Sequence, residues 1–258
     1  MWRIGNERMN EPRQTPSDGP GPTTPRSSWD GIEGIVLDAV GTLIEPEPSV
    51  ADVYLAAARR QGVALERSEI QARFRRQFRD DELDESRGPM VTDEVIERRR
   101  WRRIVGSVLP EAPDPGRAFG ELWDHFARAD AWRPFPDVAP AVRDLLGAGF
   151  PVRIASNFDA RLRGVVAGLR ELSDLRGSLL ISSEIGYRKP HTRFYLAACE
   201  SLGLRPERVL FVGDDTENDV LGPRRAGLRG VLVNRSGRGK EGGVCVPDLL
   251  SLVSARPR

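Results

Sequence analysis

The chain has 258 residues, of which 39% are hydrophobic, and this suits one large domain or a core domain with a smaller insert. Its 39 lysine and arginine residues balance 38 aspartate and glutamate residues, and a formal charge of +1 argues against a nucleic-acid partner. No apolar run reaches the roughly 18 residues of a membrane helix and no apolar signal segment follows the N-terminus, so a cytoplasmic protein without a membrane partner is expected.

Residues 1–30 are rich in Pro, Ser, Thr and Gly and contain few aliphatic side chains. Such a segment buries too little apolar surface to offset the entropy lost on ordering, so a disordered leader is predicted here. Ordered sequence is expected to follow directly. The apolar run at residues 35–37 ends abruptly at Asp38, a pattern typical of a strand buried on both faces of a parallel sheet.

Residues 49–133 have the pattern of helices that each bury one face, because apolar residues recur there at helical spacing. Thr92 and Asp114 suit the N-terminal caps of two of these helices. The arginine run at residues 98–103 is interpreted as a solvated helix face with Trp101 turned inward. The sequence therefore predicts an all-helical insert over 49–133, within a core domain made of residues 31–48 and 134–258.

From residue 135 onward, helical patterns alternate with short apolar runs, which is the signature of βαβ units and a parallel sheet. The predicted fold class is therefore α/β, with a doubly wound, Rossmann-like parallel sheet of five strands. Ligands of such sheets bind at the carboxyl ends of the strands. The four strands predicted after the insert lie at residues 152–155, 178–181, 209–212 and 231–233.

Polar residues follow four of the five predicted strands, close to the points where the strands end. Because the carboxyl ends of parallel strands meet at one edge of a sheet, these side chains are expected to converge. One basic residue would then face several acids. The residues are Asp38, Ser156 with Asn157, Lys189, and Asp214 with Asp215 and Asp219.

This arrangement resembles the haloacid dehalogenase (HAD) superfamily, whose four motifs occur here in order over residues 32 to about 235. The insert after the first motif resembles the C1-type cap of that superfamily, which closes over the active site and selects the substrate. Two stretches further resemble the subgroup of HAD hydrolase domain-containing protein 3. The motifs are residues 38–43, 156–157, 189–190 and 213–219, and the subgroup stretches are residues 156–159 and 222–224.

The resemblance implies that Asp38 is the nucleophile, whose carboxylate forms an acyl intermediate and splits one difficult displacement into two steps. Thr42, Ser156 and Lys189 would complete the catalytic set, with Lys189 compensating the negative charge. An alternative for Ser156 and Asn157 is a plain helix cap. The implied substrate and phosphate ligands are Gly41, Thr42, Ser156, the backbone N–H of Asn157, and Lys189.

The acidic fourth motif implies a magnesium site, because hard cations prefer oxygen ligands in octahedral geometry. Asp38, the backbone carbonyl of Val40, Asp214 and Asp219 would bind the ion, and Asp215 is the substitute ligand. The alternative is that these acids only cap the helix after the fourth strand of the core.

Val40 departs from the family pattern. Family phosphatases have a second aspartate at this position as general acid and base, and dehalogenases commonly have tyrosine, but valine serves neither purpose. General acid–base catalysis contributes about 10² to 10⁴ in rate, so we expect substrates with good leaving groups, a base supplied by the cap, or slow turnover.

The predicted function is a HAD-like hydrolase, an Mg²⁺-dependent phosphohydrolase or phosphotransferase that acts on a small phosphorylated metabolite. Two alternatives remain open. One is a 2-haloacid dehalogenase, which attacks carbon and needs no metal. The other is a weakly active or non-catalytic protein that binds phosphate.

Overall fold

A computed structural model describes residues 29–86, 88, 90–237 and 244–256, with residues 81–86 described by their backbone only. The predicted leader lies outside the described residues, except for its last two. One of these, Trp29, is only 5% exposed, and its ring centroid lies 5.6 Å from that of Phe150. The packed part of the chain therefore begins before residue 31, because an indole ring buries enough surface to hold the chain.

A parallel sheet of six strands forms the centre of the fold, in the order β5-β4-β1-β6-β7-β8. The predicted doubly wound α/β class is confirmed, and all five predicted strands are present. The sixth strand was missed because two residues are too few to show a pattern. The strands are β1 (Gly34–Leu37), β4 (Val152–Ser156), β5 (Leu179–Ile181), β6 (Val209–Gly213), β7 (Arg229–Val233) and β8 (Cys245–Val246).

A short antiparallel ribbon joins the sheet to the helical insert. Its strands are β2 (Ile44–Pro46) and β3 (Trp132–Pro134), which pair residue by residue. Because the chain leaves the core through β2 and returns through β3, the ribbon holds the two ends of the insert side by side.

Four α-helices are present among the described residues of the insert. Asp93 and Asp114 cap α3 and α4, since each side chain accepts a hydrogen bond from a backbone N–H of the first turn. The prediction that Thr92 caps α3 was wrong by one residue. The helices are α1 (Val50–Arg60), α2 (Arg67–Ser86), α3 (Glu94–Val108) and α4 (Pro115–His125).

The arginine run at 98–103 is only partly the solvated face that its charge predicts. Arg100 is buried, 3.8 Å from the carboxylate of Glu97, whereas Arg98 and Arg102 are exposed and stack on the ring of Phe119. The buried acid at the preceding turn explains the difference, since a carboxylate offsets the cost of burying a guanidinium group.

In the part of the chain that the structure describes, helices pack on both faces of the sheet. Apolar side chains of the insert and of one sheet face form one continuous buried cluster, and a smaller cluster lies under the other face. Among the described helices, none has the length and apolar character needed to cross a membrane. The core helices are α5 (Val138–Gly147), α6 (Arg161–Gly168), α7 (Ser182–Ile185), α8 (Thr192–Leu202), α9 (Gly222–Arg225) and α10 (Leu249–Ser254).

Candidate active site

Three buried aspartates converge at the carboxyl edge of the sheet. Asp38 directly follows β1, Asp214 directly follows β6, and Asp219 lies in the π-helical turn that comes after them. One carboxylate oxygen from each lies within 4.8 Å of the other two, and each residue is at most 4% exposed. The geometry arises because β1 and β6 are neighbouring parallel strands whose ends coincide.

Lys189 lies among these carboxylates. Its Nζ donates to Asp38 Oδ1 at 2.6 Å and to Asp219 Oδ1 at 2.8 Å, and it lies 3.4 Å from the carbonyl of Ala155. Burial alone would lower the pKa of Lys189, but the charges of Asp219 and Asp38 raise it above its ordinary value. The ammonium group is therefore charged and bridges two of the three acids.

The amino-acid composition also distinguishes Lys189 from the other basic residues. Among the 39 lysine and arginine residues, only Lys189 and Lys240 are lysines. In a chain that otherwise uses arginine, a buried lysine indicates a position where a compact point charge fits and a planar guanidinium does not.

The side chain of Asn157 holds the backbone of Lys189, a contact that the sequence analysis did not predict. Its side-chain Oδ1 accepts from the backbone N–H of Lys189 at 2.7 Å, and its Nδ2 donates to the Lys189 carbonyl at 2.9 Å. The amide thus fixes the backbone from which the lysine side chain extends. Ser156, the last residue of β4, is buried at the same edge of the sheet.

Asp215 and Asp219 of the fourth motif have different roles. Asp215 Oδ1 accepts from the backbone N–H groups of Glu217 and Asn218, so it caps the π-helical turn and lies outside the group of three converging acids. Asp219 Oδ2 accepts from the Asp215 N–H at 3.0 Å. Burial raises the pKa of Asp219 to about 7, although Lys189 opposes this shift.

The residues at this edge fit a hard divalent cation. Asp38 Oδ2 is buried and has no hydrogen-bond partner among the described residues, while Oδ1 is occupied by Lys189. Three aspartate side chains face a single ammonium group here, so the site offers more carboxylate oxygens than Lys189 engages. Carboxylate oxygens in this number and charge are the donor set that Mg²⁺ prefers.

Thr42 and Val40 lie in the segment that follows β1 and Asp38. The hydroxyl of Thr42 is fully buried and has no hydrogen-bond partner in the described part of the chain. Val40 is 6% exposed and belongs to the large apolar cluster. The position at which family phosphatases have their general acid and base is therefore largely shielded from solvent.

Arg235, which the sequence analysis missed, supports Thr42. Its guanidinium donates to the Thr42 carbonyl at 2.7 Å and forms a two-pronged ion pair with Asp137, at 2.8 and 3.0 Å. It also lies 3.9 Å from the ring centroid of Phe135. No local pattern signals this role, because Arg235 and Thr42 are far apart in sequence.

Gly41 is required at its position for two reasons. Its φ of +89° is unfavourable for other residues, and a Cβ there would lie 2.6 Å from the Asp214 carboxylate. We expect Gly41→Ala to lower kcat about tenfold or more, because an atom added at this point displaces Asp214. Steady-state kinetics would measure the change in kcat, and thermal unfolding would measure the change in stability.

Gly62→Ala is the matched control for this substitution. Gly62 also has a positive φ, +76°, but nothing lies within 4 Å of the added Cβ. Both variants should lose about 1 kcal/mol of stability from backbone strain, and only Gly41→Ala should lose activity. Equal activity of the two variants would show that Gly41 does not shape the site.

A doubly wound sheet with buried aspartates and one lysine at its carboxyl edge defines the HAD-like class of α/β hydrolases. Residues 32–227 match the haloacid dehalogenase-like hydrolase family, and the chain belongs to that family. The predictions of this superfamily and of a hydrolase are therefore confirmed.

Similar proteins agree with this assignment. Haloacid dehalogenase-like hydrolase domain-containing protein 3 of Danio rerio is 25% identical over 213 residues, covering 79% of this chain and 86% of that protein. A protein named Phosphatase MT3486 from Mycobacterium tuberculosis is 33% identical over 171 residues, covering 64% and 75%. The crystal structure of a dehalogenase shares the fold, with a TM-score of 0.67 and 22% identity over 86% of this chain and 96% of that one.

Proposed function

We propose that the protein is a magnesium-dependent phosphohydrolase that acts on a small phosphorylated metabolite. The observation that carries the proposal is the buried cluster of Asp38, Asp214 and Asp219, which offers more carboxylate oxygens than Lys189 engages. A cation and a phosphate group are the pair of ligands that such a site accommodates together. The similarity to Phosphatase MT3486 supports the phosphatase assignment, whereas the similarity to the dehalogenase structure concerns the fold alone.

In the proposed reaction, the Asp38 carboxylate attacks phosphorus, and the bond from phosphorus to the leaving oxygen breaks with its electron pair on that oxygen. Lys189 and the hydroxyls of Thr42 and Ser156 hold the phosphoryl oxygens. Bound Mg²⁺ would supply electrostatic stabilisation of the phosphoryl charge. Water then attacks phosphorus, which releases phosphate and restores the carboxylate, or an acceptor hydroxyl takes the phosphoryl group instead.

The insert is proposed to act as a cap that selects the substrate. A small cavity lies between it and the core, lined mostly by apolar and aromatic side chains. The part of the substrate next to the phosphate would meet these groups. The lining residues are Tyr54, Trp101, Val105, Phe119, Leu122, Trp123 and Phe126 of the insert and Phe158 and Arg161 of the core.

A 2-haloacid dehalogenase is the second candidate, favoured by two specific observations. Val40 leaves the usual phosphatase acid absent, and Lys189 is already paired with Asp38. In that reaction the Asp38 carboxylate would attack carbon and release halide. The resulting ester would then be hydrolysed by water without a metal.

A substrate panel separates these candidates. Phosphate release from aryl, acyl and sugar phosphates, and halide release from 2-haloacids, would each be measured with Mg²⁺ and with a chelator present. The proposal predicts phosphate release that the chelator abolishes. Halide release that is insensitive to the chelator would establish the dehalogenase instead. Phosphate binding without turnover of any substrate would identify a binding protein.

Metal binding is tested separately from turnover. Wild-type protein is expected to gain about 2.7 kcal/mol of stability at an Mg²⁺ concentration 100 times Kd, measured as a rise in Tm. Asp214→Asn should lose this gain. Asp215→Asn should retain it, because Asp215 caps the π-helical turn and an asparagine oxygen can still accept those N–H groups. Equal metal stabilisation of wild type and Asp214→Asn would contradict the proposed site.

A further inference from the structure

The loop that carries Lys189 is paired with the insert through its backbone. The Thr92 N–H donates to the Gly186 carbonyl at 3.1 Å, and the Arg188 N–H donates to the Met90 carbonyl at 3.0 Å. These bonds form an antiparallel bridge outside the central sheet. The residue directly before Lys189 is therefore tied to the insert as well as to the core, where its carbonyl accepts from the His191 N–H at 2.8 Å.

A buried carboxylate of the insert strengthens this link. Glu97, on helix α3, is 1% exposed and accepts hydrogen bonds from the Arg188 guanidinium and, at 2.7 Å, from the Thr92 hydroxyl. Burial alone would raise the pKa of Glu97, but the charges of Arg188 and Arg100 hold it below its ordinary range. The acid is thus ionised inside the protein and attracts Arg188 strongly.

We propose that Glu97 is a positioning residue for Lys189, acting through Arg188. The proposal rests on the function proposed for Lys189. Arg188 and Lys189 are adjacent in the chain, and their side chains reach different partners, Glu97 in one direction and Asp38 in the other. Fixing the first side chain therefore sets the direction of the second, as the Asn157 amide does from the core side.

The link couples two events at the site. When the insert packs on the core, Glu97 meets Arg188 and the Lys189 ammonium group is held between Asp38 and Asp219. When the insert moves away, the same loop loses the Glu97 carboxylate and the backbone bonds of the bridge. The Lys189 ammonium group is thus held most firmly while the insert is packed on the core.

Glu94 provides a matched control on the same helix. Its carboxylate also reaches the core, where it accepts from Ser183 Oγ at 2.5 Å and from the Ala160 N–H at 2.9 Å. In the described part of the chain its hydrogen bonds go to these two residues, so Glu94→Gln removes a charge from the same helix and leaves the loop of Lys189 unchanged.

The test measures the chemical accessibility of Lys189. In a Lys240→Arg background, Lys189 is the only lysine in the chain, so acylation of its amine can be followed by peptide mass spectrometry. Glu97→Gln should raise the labelling rate about tenfold, because weakening a buried ion pair increases local opening of the loop. Glu94→Gln should change the rate less than about twofold. In turnover, Glu97→Gln should lower kcat more than it raises KM.

Equal labelling rates in the Glu97→Gln and Glu94→Gln proteins would overturn the proposal. If Glu97→Gln does not fold, Arg188→Gln tests the same contact from the other side, because it removes the guanidinium group and introduces no second lysine. Labelling needs no turnover, so its outcome is separate from the proposed function. Faster labelling in an enzyme inactive on every phosphate ester would support the role of Glu97 and contradict the phosphatase.

Discussion

Replacing Asp38 with asparagine is expected to lower kcat by about 10⁴-fold or more, the size of effect seen when an enzyme loses its nucleophile. The amide keeps the size of the side chain, and its oxygen can still accept from Lys189 Nζ, but it cannot form the acyl intermediate. The variant should therefore remain folded. It should also bind Mg²⁺ more weakly, because Asp38 Oδ2 is one of the proposed ligands.

Turnover of an aryl phosphate and thermal unfolding together check this expectation. Asp159→Asn is a suitable control, because Asp159 is fully buried and pairs with Arg161 outside the acidic cluster. It should lose stability and keep kcat within about tenfold of wild type. Acid quenching during turnover should trap a phosphorylated Asp38 peptide in wild type alone. If Asp38→Asn kept more than a few per cent of wild-type kcat, Asp38 would not be the nucleophile.

Replacing Val40 with aspartate is expected to raise kcat on alkyl phosphates by up to about 10² to 10⁴, because a carboxyl group can protonate the leaving alkoxide. The structure makes the sign of the accompanying pKa shift clear. Val40 is buried in an apolar cluster, and burial raises the pKa of an aspartate placed there. A raised pKa increases the protonated fraction of the new group, which is the form that a general acid needs.

The same burial makes the substitution costly, by about 1 to 3 kcal/mol of stability. Val40→Asn is the control, since it buries a polar side chain of similar size that cannot act as a general acid. Aryl and acyl phosphates should show little gain, because their leaving groups depart without protonation. A folded Val40→Asp protein that binds Mg²⁺ and shows no gain on alkyl phosphates over Val40→Asn would reject the missing acid as the cause of slow turnover.

Much of the fold followed from local patterns in the sequence. Apolar runs a few residues long, separated by helical patterns, predicted five strands that the structure contains, and the parallel sheet follows from that alternation. Once the strands were placed, the polar residues at their ends identified the candidate site, because parallel strands end at one edge. These inferences need only short-range periodicity and one topological rule.

Local patterns were less reliable where a residue's partner decides its environment. Arg100 has the charge of a surface residue, yet it is buried beside Glu97. Strand β8 and the ribbon of β2 and β3 are too short to show periodicity, and their pairing depends on neighbours far away in the chain. Trp29 is packed because Phe150 lies beside it, not because of its own surroundings in the sequence.

The sequence alone determined which strand ends bear polar residues and which residue types they are, because strand periodicity and residue chemistry are written locally in the chain. Only the tertiary structure decided how those groups pair. Lys189 bridges Asp38 and Asp219, 151 and 30 residues away, and Arg188 meets Glu97 across the boundary between core and insert. Such contacts depend on how the insert packs on the sheet and on which side-chain rotamers that packing allows. Neither can be read from the spacing of residues along the chain.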